Sequence, residues 1–550
     1  MIVGLDMGGT HVDAVIIENK KIIKSIKKPT NRDDLFNSIW TTLDELLLGH
    51  NPSKIKRINL STTISTNAIV ESKISKVGMM IQSGPGLSQD FLTCGDETVF
   101  LSGSTDHRGR IVSDLNHIEI KKGIQLFQQK NIHACAVITK FSTRNPSHEL
   151  EIKQILEKNF STITMGHSLS GKLNFPRRVF TSYLNEAVRH TFYDFSTNIQ
   201  KSIKDKKIDA PIFILKADGG TMSLSAAENQ PVETILSGPA ASLMGMKALC
   251  PTNKDALLLD IGGTTTDIFF LAQGEPLLEP IGIQIGPYKT LVRATYSASI
   301  GIGGDSCITV ENGKLKIGPK REGIPYAFGG PKPTPTDAMI LLGFIEGNQE
   351  KALDAMNLLA SSLKQSPEQL AYKILDIMGD QIKKQVDQTL QKINSKPVYT
   401  VKDFLYLEKI EPKQIYMIGG PAKVLSPIIE NKFHLPCTYP ENYDIANAIG
   451  AALAKPTTEI TLLADTSEGF LSVPELGIYE DIGNHYTLDM AKKRAFELLK
   501  ESALLLGAQE DEIEPEMIEE NSFPMVRGFS TSGQNIRLKV QMKPTLLHSI

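Results

Sequence analysis

An apolar run at 256–259 ends on Asp260, and Gly262, Gly263, Thr264, Thr265, Thr266 and Asp267 follow before a second apolar run at 268–271. That order predicts two strands joined by a tight turn. Glycines in such a turn let backbone N–H groups approach an anion closely, and threonine hydroxyls add donors. Asp260 at the strand end cannot bind a phosphate itself. It suits the magnesium ion that accompanies one, because that hard cation prefers oxygen ligands. The chain opens with the same unit: Asp6, Gly8, Gly9, Thr10 and Asp13 repeat Asp260, Gly262, Gly263, Thr264 and Asp267 at one offset. A polar hairpin turn would account for one copy. Two copies predict two similar lobes with an anion held between them.

Composition narrows the class. A chain of 550 residues with 41% apolar and 22% charged residues can bury a large core, and its length predicts roughly three or four domains. A net charge of −3 without a basic block argues against nucleic-acid and anionic-membrane partners. No apolar run approaches the ~20 residues of a membrane span. Cys94, Cys135, Cys250, Cys307 and Cys437 are scattered, with no C-x-x-C spacing, so neither a disulfide framework nor a zinc cluster is expected. The N-terminus lacks a signal-peptide layout, which predicts a soluble, cytoplasmic, reduced protein.

In chain order, a strand at 21–26 is followed by a helix over 33–48, with Thr30 and Asp33 as a capping box. A strand at 54–60 leads into S-T-T-I-S-T-N, where Thr62, Thr63 and Asn67 either face a cleft or simply start a helix. Strands at 77–82, 134–139 and 161–168 and a helix at 147–158 predict α/β material inserted in the first lobe. A long helix spans 176–204. A strand at 211–216 precedes A-D-G-G-T, which contains Asp218, and a small-residue helix runs from Ser237 to Leu249. A further strand is expected at 276–281. I-G-I-G-G-D-S at 300–306 is neither a dinucleotide fingerprint nor a Walker loop. The Gly/Pro-rich stretch 316–337 is a long loop, a kind that is often functional. A strand at 415–418 opens onto Gly419 and Gly420, where the backbone can lie flat against a planar ring. A second small-residue helix covers 444–454. The tail carries a strand near 459–464, an amphipathic helix at 488–506 and an alternating strand at 535–542.

Five of these runs, Asp6–Thr10, 237–245, 260–266, 418–422 and 446–452, resemble in order the five signatures of actin-like ATPases. The resemblance implies an α/β, two-lobed actin-like ATPase (ribonuclease H-like) fold with a small C-terminal α+β domain. Within that superfamily, S-T-T-I-S-T-N-A-I-V, A-D-G-G-T-M-S-L, S-G-P-A-A-S, D-I-G-G-T-T-T-D-I, N-G-K-L-K-I-G-P and P-T-P-T-D-A resemble the hydantoinase/5-oxoprolinase family over about 1–455. The implied domains are 1–205 with the first phosphate loop, 206–456 with the second phosphate loop and adenosine motif, and 457–550. The tail is shorter than the family's usual C-terminal domain. G-I-P-Y-A-F-G-G-P-K lacks the family's A-C-Y-G run, and Asp305 stands where relatives have a glycine.

The family implies ATP- and Mg2+-dependent opening of a small cyclic amide such as a hydantoin or 5-oxoproline, with phosphorylation of the amide oxygen. ATP would contact Gly8, Gly9, Thr10, Gly262, Gly263, Thr264, Thr265, Gly419 and Gly420. Asp6 and Asp260 would hold the metal through waters, and Asp305 is the candidate base or, alternatively, a turn aspartate. Thr62, Thr63, Asn67, Asp218 and Asp337 are the candidate substrate contacts. Relatives often use a second, hydantoinase B-type subunit, and a homo-oligomer stays open. The alternative readings are an ATP-dependent carboxylase or kinase on another small carbonyl or hydroxyl compound, and a nucleotide-switched binding protein.

Overall fold

The computed structural model describes residues 1–9, 11–31, 35–279, 281–395, 409–527 and 530–550. The chain forms two compact units, each discontinuous in sequence. The first comprises Met1–Ala240, Glu279–Ala294 and Ala451–Leu547, and the second Ala241–Leu278, Thr295–Gly450 and His548–Ile550.

The first unit is built on a six-stranded sheet. Strands β1 (Ile2–Met7), β2 (His11–Glu18) and β3 (Lys21–Pro29) form an antiparallel meander. On the other side of β1 lie β4 (Arg57–Thr62) and β5 (Ile212–Leu215), both parallel to it, and then β6 (Thr221–Ser223), antiparallel to β5. Burial on both faces explains the unbroken apolar runs of the central strands. Val3, Leu5, Val12, Ala14, Ile16, Ile58 and Ile214 are all fully buried. The capping box expected at Thr30 and Asp33 falls partly on residues outside those described. The strands expected at 77–82 and 134–139 form, with Glu97–Phe100 and a strand shortened from 161–168 to Thr162–Met165, a second, parallel sheet.

The second unit repeats the plan. β7 (Ala256–Ile261) and β8 (Thr266–Ala272) pair antiparallel, and β9 (Gln414–Ile418) lies parallel to β7. This duplicated sheet is the actin-like, ribonuclease H-like α/β architecture. The strand expected at 276–281 is reduced to Glu275–Pro276, with an isolated bridge from Leu278 to Thr295. The small-residue helices α1 (Ser237–Leu249) and α2 (Ala446–Leu453) touch backbone to backbone. A Cβ on Gly245 would come within 2.0 Å of the Ala446 carbonyl oxygen, and one on Gly450 within 2.2 Å of that of Ala241.

Residues 459–542 form a five-stranded antiparallel sheet within the first unit, covered by the helix Leu488–Leu505. One of its two longest strands, Pro515–Arg527, carries no alternating signal in sequence. Two buried contacts tie residues after 450 to β4. Asn59 donates its amide hydrogens to the carbonyls of Ala451, Ala452 and Ala454, satisfying a helix end. Arg57 pairs with Glu512 at 2.9 Å.

Candidate functional site

The repeated motifs form two turns of the same construction. In the first unit Asp6 pairs in register with Asp13, and the N–H of Gly8 donates to the His11 carbonyl at 3.0 Å. In the second, Asp260 pairs with Asp267, and Gly262 N–H donates to Thr265 at 2.9 Å. Each turn therefore leaves a strand at an aspartate, crosses two glycines and re-enters the sheet antiparallel. Thr10 lies outside the described residues. Ser242 of α1 donates to Asp260 at 2.6 Å.

The parallel neighbour of each hairpin brings in the next candidates. Thr62 ends β4 opposite Met7, and Thr63 donates its hydroxyl to the Met7 carbonyl at 3.3 Å. Asn67 reaches back to the Thr63 hydroxyl at 3.1 Å. So Asp6, Gly8, Thr62, Thr63 and Asn67 share the carboxyl edge of one sheet, where open α/β sheets bind ligands. In the second unit Gly419 and Gly420 follow β9 beside Asp260. A Cβ on Gly419 would meet the Ile261 carbonyl at 2.2 Å, and its φ of +91° also favours glycine. Gly420 faces open space, with nothing within 4 Å of a Cβ.

The 300–306 run packs onto the second turn. Gly304 and Asp305 N–H groups donate to the Gly262 and Gly263 carbonyls at 3.0 and 2.7 Å. The Asp305 carboxylate accepts from Thr336 at 3.2 Å and from Arg321 at 2.9 Å. Arg321 also reaches Thr264 at 3.4 Å. It is a cation beside the turn that sequence reasoning missed, since a lone arginine in a Gly/Pro-rich loop carries no pattern. Two substrate candidates have their carboxylates taken up elsewhere. Asp337 is fully buried and caps the helix Pro335–Leu341, accepting from Thr334, Tyr326 and Ala327. Asp218 is buried with Thr457, Lys216 and Arg293.

Two family profiles match this chain. The one described as Hydantoinase/oxoprolinase covers residues 178–460, and the one for the Hydantoinase/oxoprolinase N-terminal region covers residues 2–160. The chain belongs to the hydantoinase/oxoprolinase family. Among its relatives, caprolactamase subunit alpha of Pseudomonas jessenii is 25% identical over 424 residues, covering 68% of this chain and 61% of the relative. 5-Oxoprolinase 1 of Arabidopsis thaliana is 22% identical over 404 residues, covering 62% of this chain and 31% of that protein. The chain thus spans less than two thirds of either relative. Two solved structures share its fold. ATP-dependent caprolactamase from Pseudomonas jessenii has a TM-score of 0.73 at 18% identity, covering 100% of this chain and 88% of that one. Nucleotide-free acetone carboxylase has a TM-score of 0.72 at 15% identity, covering 99% and 87%.

The residues of this family member suit a nucleotide with magnesium. Backbone lies bare at Gly420, and an acid stands at each strand end. Among the described residues no group of three or more His, Cys, Asp or Glu could hold a metal ion.

Asp267 provides a pH marker. Burial, then the Asp260 charge, push its carboxyl up to about 7. The folded protein therefore holds this proton more tightly than the unfolded chain. The stability it contributes is present below the ordinary value of 3.8 and lost as pH rises through about 7. Asp267→Asn, which stays neutral, should melt like the wild type near pH 4 and above it beyond pH 7. Melting curves at the two pH values check this, and an equal offset at both would remove the assignment.

Proposed function

We propose that this chain is the ATP-using component of an enzyme that opens a small cyclic amide of the hydantoin or 5-oxoproline type. The observation that carries the reading is the duplicated turn, two Asp-x-Gly-Gly hairpins of identical register. Caprolactamase and 5-oxoprolinase among the relatives support an amide substrate.

An amide resists water because resonance stabilises it. In the proposed route the amide oxygen attacks the γ-phosphorus, the bond to the β-phosphate oxygen breaks and ADP leaves. Water then adds to the activated carbon. The C–N bond breaks with a proton passing to nitrogen, and a second water attacks the same carbon to release phosphate. The glycine turns offer backbone N–H groups to phosphates, and Asp6 in the first unit and Asp260 in the second are each candidates to hold a magnesium ion, which would supply charge neutralisation. Arg321 adds a fixed cation beside Thr264, and Asp305 is the candidate for accepting the proton of water. Thr62, Thr63 and Asn67 offer short polar groups to the N–H and C=O edges of a lactam. We also propose a second, hydantoinase B-type subunit as partner, since the caprolactamase relative is itself a subunit.

Acetone carboxylase, sharing the fold over 99% of the chain, supports the second reading, a carboxylase that phosphorylates a ketone or bicarbonate oxygen. One experiment separates them. Phosphate release is followed with lactams, hydantoins and ketones plus bicarbonate, with and without a B-type subunit, using carbonyl-18O amide. Oxygen-18 in phosphate is expected. Ring opening with unlabelled phosphate excludes the route, and a ketone accepted while every amide fails transfers the chain to the carboxylase reading.

A further inference from the structure

In the second unit a carboxylate stands against the turn that suits an anion. The Asp305 N–H donates to the Gly263 carbonyl at 2.7 Å, and a Cβ on Gly263 would come within 2.8 Å of Asp305 Oδ2. A phosphate approaching that backbone meets a like charge at short range, which is unfavourable unless a cation stands between them. Arg321 is that cation, and its donors are divided. Nε donates to the Gly323 carbonyl at 3.1 Å, Nη1 to the Thr264 hydroxyl at 3.4 Å and Nη2 to Asp305 Oδ2 at 2.9 Å. The contact with Thr264, long and to a neutral partner, is the weakest of the three. The side chains of Arg321 and Asp305 are 22% and 19% exposed, so a ligand on the turn can reach both.

We propose, on the ATP reading of this turn, that Arg321 distinguishes ATP from ADP and that Asp305 competes with the terminal phosphate for its guanidinium. Without nucleotide the cation is committed to Asp305. One positive charge cannot neutralise a carboxylate and a phosphate together, and a terminal phosphate carries about −1.5 to −2. The phosphate therefore draws the guanidinium from the side of Nη1, which already reaches the turn at Thr264. Two N–H groups offered side by side to phosphate oxygens then replace one long contact to a hydroxyl. Asp305 yields its cation while the phosphoryl group, on ATP or on the amide oxygen, occupies the turn. That is when the proposed route needs an acceptor for the proton of water. ADP lacks the group and leaves the pair closed.

The test is calorimetric titration of the full chain with magnesium and either ADP or the β,γ-imido analogue of ATP. It compares the wild type, Arg321→Gln, Asp305→Asn and the double variant. Arg321→Gln should weaken the analogue about tenfold or more and ADP by about twofold or less, as expected for a lost charge-assisted bond to the terminal phosphate. Asp305→Asn should tighten the analogue on the order of threefold or more, and by a smaller factor when position 321 is already glutamine. Simple repulsion between Asp305 and the phosphate gives the opposite order, because the guanidinium would screen it, and that order overturns the proposal. Weaker analogue binding in Asp305→Asn makes the carboxylate an anchor for Arg321 and overturns it too. Equal losses of ADP and analogue in Arg321→Gln, or no loss of the analogue, remove the role of Arg321 and leave the ATP reading standing. Failure of the wild type to bind either nucleotide brings down both. If Arg321→Gln does not fold, Arg321→Lys, which keeps the charge and loses the fork, decides by the same comparison.

Discussion

Asp6→Asn and Asp260→Asn should each lower amide-driven ATP hydrolysis by about a hundredfold or more, while the melting temperature moves by only about a few degrees. The reasoning is local. Both carboxylates end a central strand next to a glycine turn, and asparagine keeps the volume and one acceptor. Ser242 can still donate at position 260 as it does now, at 2.6 Å. The loss is therefore mainly the charge that a hard cation requires. Turnover measured across a magnesium titration should show a raised metal requirement in both variants. Because Asp260 helps to keep the proton on Asp267, Asp260→Asn should also bring the Asp267 titration down. Wild-type turnover in both variants would remove the metal assignment from these residues.

Gly420→Val should raise the ATP concentration for half-maximal turnover on the order of tenfold, corresponding to about 1–3 kcal/mol of steric conflict, with no change in nucleotide-free melting. The free structure offers a valine at 420 open space, so only a ring lying on that backbone would meet it. Gly419→Ala gives the contrasting result. Its Cβ would run into the Ile261 carbonyl at 2.2 Å from a backbone at φ +91°. That variant should lose stability by several kcal/mol, on the order of 1–3 kcal/mol from the overpacking alone. Nucleotide affinity by calorimetry and melting curves together separate the two. Equal ATP affinity in Gly420→Val would take the adenine away from this loop.

The two turns were legible because their signals are local. A glycine pair between apolar runs and an aspartate at the strand end sit within a dozen residues, and the repeat removed the ambiguity of one copy. The small-residue helices were legible for the same reason, since alanine and glycine at the contact positions state how closely two backbones pass. What could not be read is assembled over distance. Thr457 meets Asp218 across 239 residues of sequence, and Arg293 lies in a short segment with no periodicity. Arg321 is hidden in a Gly/Pro-rich loop. Asp337 stands in a run that resembles the family's, but its carboxylate is taken up by capping, a role that spacing cannot distinguish from ligand contact. The strand Pro515–Arg527 begins among Glu516, Glu519 and Glu520, so its composition hides its extended backbone.

The first unit takes its residues from three stretches, and the last begins at Ala451. On a ribosome, Ala240 is made long before Ala451. At about 5–20 residues per second the wait is roughly ten to forty seconds. Through that interval Asn59 has none of its three carbonyl acceptors and Arg57 lacks Glu512. The nascent amino-terminal sheet therefore spends the wait with the Asn59 amide and the Arg57 guanidinium without the partners that later cover them, an incomplete surface that chaperones can recognise and that closes only when the final stretch emerges.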